Sequence, residues 1–331
     1  MTPASFHDDR LLATVVHVTE LRYSDGPDDL LDRPAHVRAG SSLARLGGLV
    51  AVLQDDASFV ALIDPQGDLV RAVPLPASAD GVRLFDDLRG NKHLKLDLEA
   101  CVALPGGGGD TLLALGSGSS PLREQVALIE GCASPAPVVR LYSAPAWYAA
   151  LRVATDFAGS ELNIEGVVAL GGTLRLFNRG NGAPQGGRLP VDATCDVELA
   201  ALLAHLADPQ AAPPLPQRIR QYDLGLLDGL RLTFTDAALA PSGLIFSAAA
   251  EDSPDATRDG PVAGSALGVL DEQGSARWTE LRDPSGARFA GKVEGVLLDA
   301  ADPARALVVV DVDDPAVPSL LCEVALAGPW F

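Results

Sequence analysis

Apolar residues in this chain alternate with polar ones in short runs, and the runs come in pairs separated by Gly, Pro or Asp. Alternation with period two puts one set of side chains on each face of a strand, and turn residues between paired runs predict hairpins. Four segments share one plan: a polar-x-acid start, an apolar run, a turn, a second apolar run and a polar exit. They read LDLEACVALPGGGGDTLLALGSGSS, LNIEGVVALGGTLRLFNRGNG, TFTDAALAPSGLIFSAAAEDS and GKVEGVLLDAADPARALVVVDVDD. A weaker fifth, AGSSLARLGGLVAVLQDD, precedes them and carries Ser41 in place of the acid.

The recurring slot falls on Ser41, Glu99, Glu165, Asp236 and Glu294, at spacings of 58, 66, 71 and 58 residues. That is room for four strands per unit, and further strand patterns do follow the pairs. FVALIDPQGDLVRAVPL reads as a hairpin around Pro-Gln-Gly-Asp, QVALIEG and VVRLYSA follow the second pair, and SALGVLDEQGSARWTEL follows the fourth. The expectation is an all-β chain forming one domain over residues 1–331, a β-propeller of about five four-stranded blades. The blades are expected at roughly 40–76, 95–145, 160–224, 230–283 and 290–328, with residues 11–23 added to the last. LLATVVHVTELRY would then be the outermost strand of that blade, closing the ring and protecting its edges.

The third unit departs from the plan. In TCDVELAALLAHLADP, residues Leu199, Leu202, Leu203 and Leu206 recur at helical spacing, which predicts a short helix within 192–207. This segment and the Pro-rich DPQAAPPLPQ after it are expected outside the repeat core. Six blades would follow if the insertion hid another; two β-sandwich domains are the non-repeat alternative, which leaves the recurring acid unexplained.

Composition narrows the partners. The apolar content of 47% is ample for a core, and the net charge of -19 comes without any long Lys/Arg run. Nucleic acid and anionic membrane surfaces are thereby disfavoured. The acidity suits a bound cation, and equally well serves only to keep the chain in solution. The start MTPASFHDDR lacks the basic and apolar regions of a signal peptide, and no run approaches the ~18 apolar residues of a membrane span. A cytoplasmic protein, monomeric or weakly oligomeric, is expected. Cys101, Cys132, Cys195 and Cys322 form no CxxC pair and are expected to be reduced and buried.

Alternation places His93, Lys95, Asp97 and Glu99 on one face, as it does Asn163 with Glu165 and Lys292 with Glu294. On innermost strands these starts converge at the central channel. Four carboxylates in one ring repel each other and need Lys92, His93, Lys95 and Lys292, or a divalent cation, beside them. Ca²⁺ suits, since it takes about six to eight oxygens. Glu99, Glu165 and Asp236 are the candidate metal ligands, and Glu99, Glu165 and Glu294 the candidate catalytic carboxylates. An acid repeated in every blade is also explained by bonds to neighbouring backbone, so the less repeated groups point more directly to a ligand. Asn163, Asn178, Arg179 and Asn181 bracket the third pair, and Arg179 offers a fork for carboxylate or phosphate. Lys95 and Lys292, with Ser119 and Arg123 in GSGSSPLRE, complete the candidate substrate contacts. GxSxG, HExxH, P-loop and dinucleotide motifs are missing, so no nucleotide cofactor is expected.

KLDLEACVAL, NIEGVVAL, LRLFNRGN and DPAVPSLLCEVALAGPW resemble an uncharacterised bacterial propeller family, a domain of unknown function, over most of the chain. More loosely, the repeated x-x-Glu-Gly is similar to the esterase-like phytase and the gluconolactonase/regucalcin propellers. The last of these bind a divalent metal at the channel mouth through Glu and Asn. That resemblance implies a metal-ligand role for Glu165 and Asn178 and a substrate-anion contact for Arg179. Those propellers are usually six-bladed and often secreted, and their metal set is not reproduced in order. The expected function is a ligand-binding propeller acting as a metal-assisted hydrolase on a small phosphorylated, ester or lactone substrate. The alternative is a non-catalytic propeller that binds a small molecule or a protein.

Overall fold

The structure is a computed structural model that describes residues 5–64, 69–78, 80–106, 109–255, 258 and 260–331. The tight turn expected at Pro65–Asp68 lies outside the described residues. Five antiparallel blades of four strands each make up the body of the molecule, and the last two are joined edge to edge in one ten-stranded sheet. Blade 1 comprises Gly40–Leu46, Leu49–Gln54, Phe59–Asp64 and Leu69–Pro74; blade 2 comprises Leu98–Ala103, Thr111–Gly116, Gln125–Glu130 and Val138–Ser143. Blade 3 comprises Ile164–Leu170, Thr173–Asn178, Asp192–Glu198 and Gln217–Tyr222, and blade 4 Leu230–Ala240, Gly243–Glu251, Val262–Leu270 and Ala276–Arg282. In blade 5, Lys292–Leu298, Arg305–Asp311 and Leu320–Ala327 are completed by the N-terminal strand Leu12–Glu20. The fold is a five-bladed β-propeller, and the chain termini close its last blade.

The closing strand pairs antiparallel with the C-terminal one from Leu12↔Ala327 to Glu20↔Leu320. It also touches blade 4 through Leu281↔Ala13 and Arg282↔Thr14, and Ser5–His7 runs parallel to Ala276–Trp278. The free edges on either side of the closure are thus covered from one stretch of sequence.

The third unit needs a correction. Helix α3, Leu199–Ala207, forms as its periodicity predicts, but Asp192–Glu198 is the third strand of blade 3 and belongs to the repeat core. Two further helices, α1 (Pro145–Val153) and α2 (Thr155–Ala158), bridge blades 2 and 3 and bury Trp147, Tyr148, Leu151 and Phe157 between them. Pro145 opens α1, where its missing N–H is no loss. Leu, Val and Ala fill most of the space between blades, but blades 3 and 4 pack through aromatic rings. Phe234 makes edge-on contacts with Phe177, Tyr222 and Phe246 at centroid distances of 5.2, 5.4 and 5.2 Å. All four cysteines are free and buried. Among the described residues no helix is long and apolar enough to cross a membrane.

Candidate functional site

Every innermost strand is broken by a β-bulge near its start. The register against the second strand shifts between Gly40 and Ser42, Leu98 and Ala100, Ile164 and Gly166, Phe234 and Asp236, and Val293 and Gly295. The bulged residues are therefore Ser41, Glu99, Glu165, Thr235 and Glu294. Blade 4 places Thr235 in the recurring slot, one residue before the Asp236 that alternation suggested. A bulge re-aims its side chain and adds a residue that alternation alone cannot locate.

The slot splits by chemistry. Ser41 Oγ donates to the carbonyl of Leu98 at 3.0 Å and Thr235 Oγ1 to that of Val293 at 2.8 Å, so these two hydroxyls tie their blade to the next. Glu99, Glu165 and Glu294 instead face a cavity of about 260 Å³ at the channel mouth. Because strands one and two run antiparallel, the exits of the second strands arrive at the same end. They bring Asp55 and Asp56 from QDDA, and Asp311 and Asp313 from VDVDD, into the cavity wall. The buried Glu251 from AEDS stands beside them.

Just below the mouth the five inner strands meet. Asp236 is fully buried there, and its Oδ2 accepts from Ser42 Oγ (3.2 Å), Leu43 N (3.4 Å) and Val296 N (3.1 Å). Ser42 Oγ in turn accepts from Cys101 N at 3.1 Å. One carboxyl and one hydroxyl thus link blades 1, 2, 4 and 5. The glycine of the repeated Glu-Gly pair follows from the same crowding: a Cβ on Gly166 would lie 3.2 Å from Ala237 N, and one on Gly295 3.0 Å from Ser42 Cα. Asp236, expected as a metal ligand with Glu99 and Glu165, is not a mouth residue.

The basic side chains of the mouth are engaged by its carboxylates. Lys95 Nζ contacts Asp55, Asp97 (2.9 Å) and Asp56 (3.5 Å). Arg123 pairs with Asp97 at 2.9 Å and donates to Ser119 Oγ. Arg179 bonds Glu251 (2.6 Å), Thr233 Oγ1 (3.1 Å) and Glu165 (3.4 Å), and Lys292 bonds Glu294 at 2.9 Å. Burial opposes the charges on Lys95 and Arg179, but their acidic neighbours outweigh it and raise both pKa values. Asp97, pulled down by Lys95 and Arg123 against its burial, stays ionised.

The carboxyls facing the cavity shift the other way. Burial, then the charges of Asp55 and Glu165, pushes Glu99 well above the usual range. Burial raises Glu165 to about 8, Asp55 to about 7 and Asp311 to about 8, and lifts Glu294 as well. Among the described residues Glu99 makes no hydrogen bond. Glu294 Oε2, on a side chain 9% exposed, has no partner either. Asp55, Asp97 and Glu99 each bring one oxygen within 4.8 Å of the other two.

The structure assembles part of the expected contact set. Asn163, Arg179, Asn181, Lys95, Lys292 and Arg123 line the cavity with the three glutamates. Asn163 Nδ2 donates to Glu165 Oε1 (2.7 Å) and Asn181 Oδ1 (3.2 Å). Asn178 does not join them: fully buried, it accepts from Asn163 N and donates to the carbonyl of Val191, which fixes the strand ends. Ser119 bonds Ser117 and Arg123 outside the cavity lining. His93 is exposed beside a shallower depression with Pro121 and Leu122, because Lys92–Leu94 is a 3-10 turn and the strand begins only at Leu98. Asp55, Asp56, Asp311 and Arg38 were missed as candidates, although the acidic second-strand exits carried the signal for the first three.

A five-bladed propeller with a charged cup at one channel mouth is the class these features define. The chain matches the family model of DUF6929, a family of unknown function, over residues 36–326, and belongs to that family. No curated protein matches it. Solved structures similar to it include Myxococcus xanthus glutaminyl cyclase, at 10% identity and a TM-score of 0.49 over 97% of this chain and 98% of that one. The PQQ-bound aldose sugar dehydrogenase of Streptomyces coelicolor follows at 10% identity and 0.47, over 97% and 100%. The Neurospora crassa Pan2 WD40 domain aligns at 10% identity and 0.41, over 98% and 97%.

Proposed function

We propose that the protein is a ligand-binding propeller whose charged mouth takes a small polar ligand by its positively charged end. One observation carries this reading. Three glutamates face a single cavity, Glu165 and Glu294 buried and Glu99 half-buried. Among the described residues Glu294 Oε2 and the Glu99 carboxyl have no hydrogen-bond partner, while Lys95, Arg123 and Arg179 are already paired. An anion would have to displace carboxylates from those bases, whereas an amine or metal cation meets carboxyl oxygens that have no partner, Glu294 Oε2 among them buried. The anionic ligand suggested by sequence is therefore the less favoured one. Calorimetric titration with putrescine, Ca²⁺ and inorganic phosphate separates the options. A cation should bind, phosphate should not, and Glu99→Gln should weaken cation binding about tenfold, the scale of a lost charged hydrogen bond. Binding of phosphate alone would reverse the assignment.

Metal-assisted hydrolysis is the second reading, favoured by the Asp55, Asp97 and Glu99 oxygens and by the unpartnered Asp55 Oδ1. Those three carboxylates fit part of a Ca²⁺ shell, provided that Asp97, whose two oxygens are held by Lys95 and Arg123, is released by one of them. The chemistry such an ion supplies is polarisation of a scissile oxygen. Glu165, with its pKa about 8, is protonated at neutral pH and suits the role of general acid. Esterase and phosphatase activity that disappears on chelation and in Glu165→Gln would support it; activity indifferent to both would rule it out.

A further inference from the structure

The channel has a second mouth of opposite character. Past the crowded level of Ser42, Gly166 and Asp236, the next residues of the inner strands, Leu43, Val167 and Ala237, open into a cavity of about 620 Å³. All five blades line it through the far halves of their innermost strands, and blades 2 to 5 also through the hairpin turns that follow. Except for Arg45 and Asp299, the described residues of the wall are Leu, Val, Ala, Pro, Gly and Cys. Its volume lies in the range of small-molecule pockets, and concave apolar surface of this extent left open on a soluble fold marks a place where something binds.

The two charged residues differ in what they have left to offer. Asp299 Oδ1 accepts from Ala301 N and Asp302 N and so closes its own turn. Arg45 donates from Nη2 to the carbonyl of Leu298 at 3.2 Å, and no carboxylate pairs with it among the described residues. A guanidinium has five N–H donors, and the planar fork is built to hold a carboxylate bidentately. One available fork over a greasy cup selects a ligand with an apolar body and a single anionic head.

We infer that this end of the channel is a second binding site, independent of the charged mouth, for a small amphiphile whose carboxylate pairs with Arg45 while its apolar chain fills the cavity. An apolar side chain offered by a partner protein is the competing occupant. It would need no free carboxylate and would not require the isolated chain to bind a small molecule.

Titration calorimetry of the full chain with decanoate and with decanol tests the assignment, with thermal unfolding of each variant as the check on folding. Decanoate should bind at one site per chain, more tightly than decanol. Arg45→Gln should weaken decanoate about tenfold or more and leave decanol unchanged. Ala300→Trp, at an exposed turn position on the cavity wall, should weaken both. Glu99→Gln at the opposite mouth should alter neither. The inference is overturned if decanoate does not bind the wild-type chain, or if it binds Arg45→Gln and Ala300→Trp as tightly as wild type.

Discussion

Asp236 concentrates the electrostatics of the channel in one carboxyl. Its Oδ2 accepts three hydrogen bonds and its fully buried Oδ1 accepts none. Burial raises its pKa well above the usual value, although the backbone N–H of Val296 and other donors oppose the rise. A neutral carboxylic acid avoids burying a charge at this point, and asparagine, also uncharged, has nearly the same shape and polarity. Asp236→Asn should therefore unfold in urea within about 1 kcal/mol of wild type. Asp236→Ala should lose about 3 kcal/mol, because Leu43 N, Val296 N and the Ser42 hydroxyl are left without their acceptor. Because the folded pKa is raised, the contribution of this group is full below the unfolded value near 4 and is lost as pH climbs toward the folded one. Equal destabilisation by both substitutions would mean that the carboxyl is ionised in the fold.

The bulged inner strand is the element that turns a structural repeat into a site. It points one side chain of each blade up into the mouth and lets the next residue approach the neighbouring strand. At Gly295 that approach leaves no room, since a Cβ would sit 2.8 Å from Val309 Cγ1 and 3.0 Å from Ser42 Cα. Gly295→Ala should cost about 1–3 kcal/mol by overpacking, read as a lower urea midpoint at constant slope. Sequence periodicity was enough to see the blades, the closing strand and the Glu99, Glu165 and Glu294 ring, since each rests on alternation repeated several times. It was not enough for Thr235, because a bulge shifts the count by one and TFTDAALA offers two polar residues for one slot. Asn178 misled for a related reason: an amide beside an arginine reads as a ligand contact until its partners prove to be backbone atoms of Asn163 and Val191. Helix α1 did leave a trace, with Pro145 ahead of Trp147, Tyr148 and Leu151, but its burial between two blades is decided by distant residues such as Ile164 and Leu174.

At the scale of the whole molecule, proton uptake and ring closure set the stability. Burial raises Asp55 to about 7 and Glu165 and Asp311 to about 8, whereas these groups ionise near 4 in an unfolded chain. Between those limits the folded state holds more protons, so its stability falls as pH rises from about 4 toward 8. The melting temperature should be several degrees higher at pH 6 than at pH 8.5, and a cation bound at the mouth should flatten the profile; a Tm that climbs with pH would contradict the picture. Closure is the stricter condition. Leu11, Ala13 and Val15 are at most 2% exposed and pack into one cluster with Leu281, Val324 and Leu326. Deleting residues 1–20 removes those side chains together with the whole ladder against Leu320–Ala327, and it bares one strand edge on a three-stranded remnant. A propeller has no other core to fall back on at that seam, so the truncated chain should lose its cooperative thermal transition and elute as aggregate. A peptide spanning Leu11–Tyr23, added during refolding, should restore the monomeric transition in proportion to its concentration. If the truncated chain melted as sharply as the full one without the peptide, the N-terminal strand would be a decoration of the ring rather than its clasp.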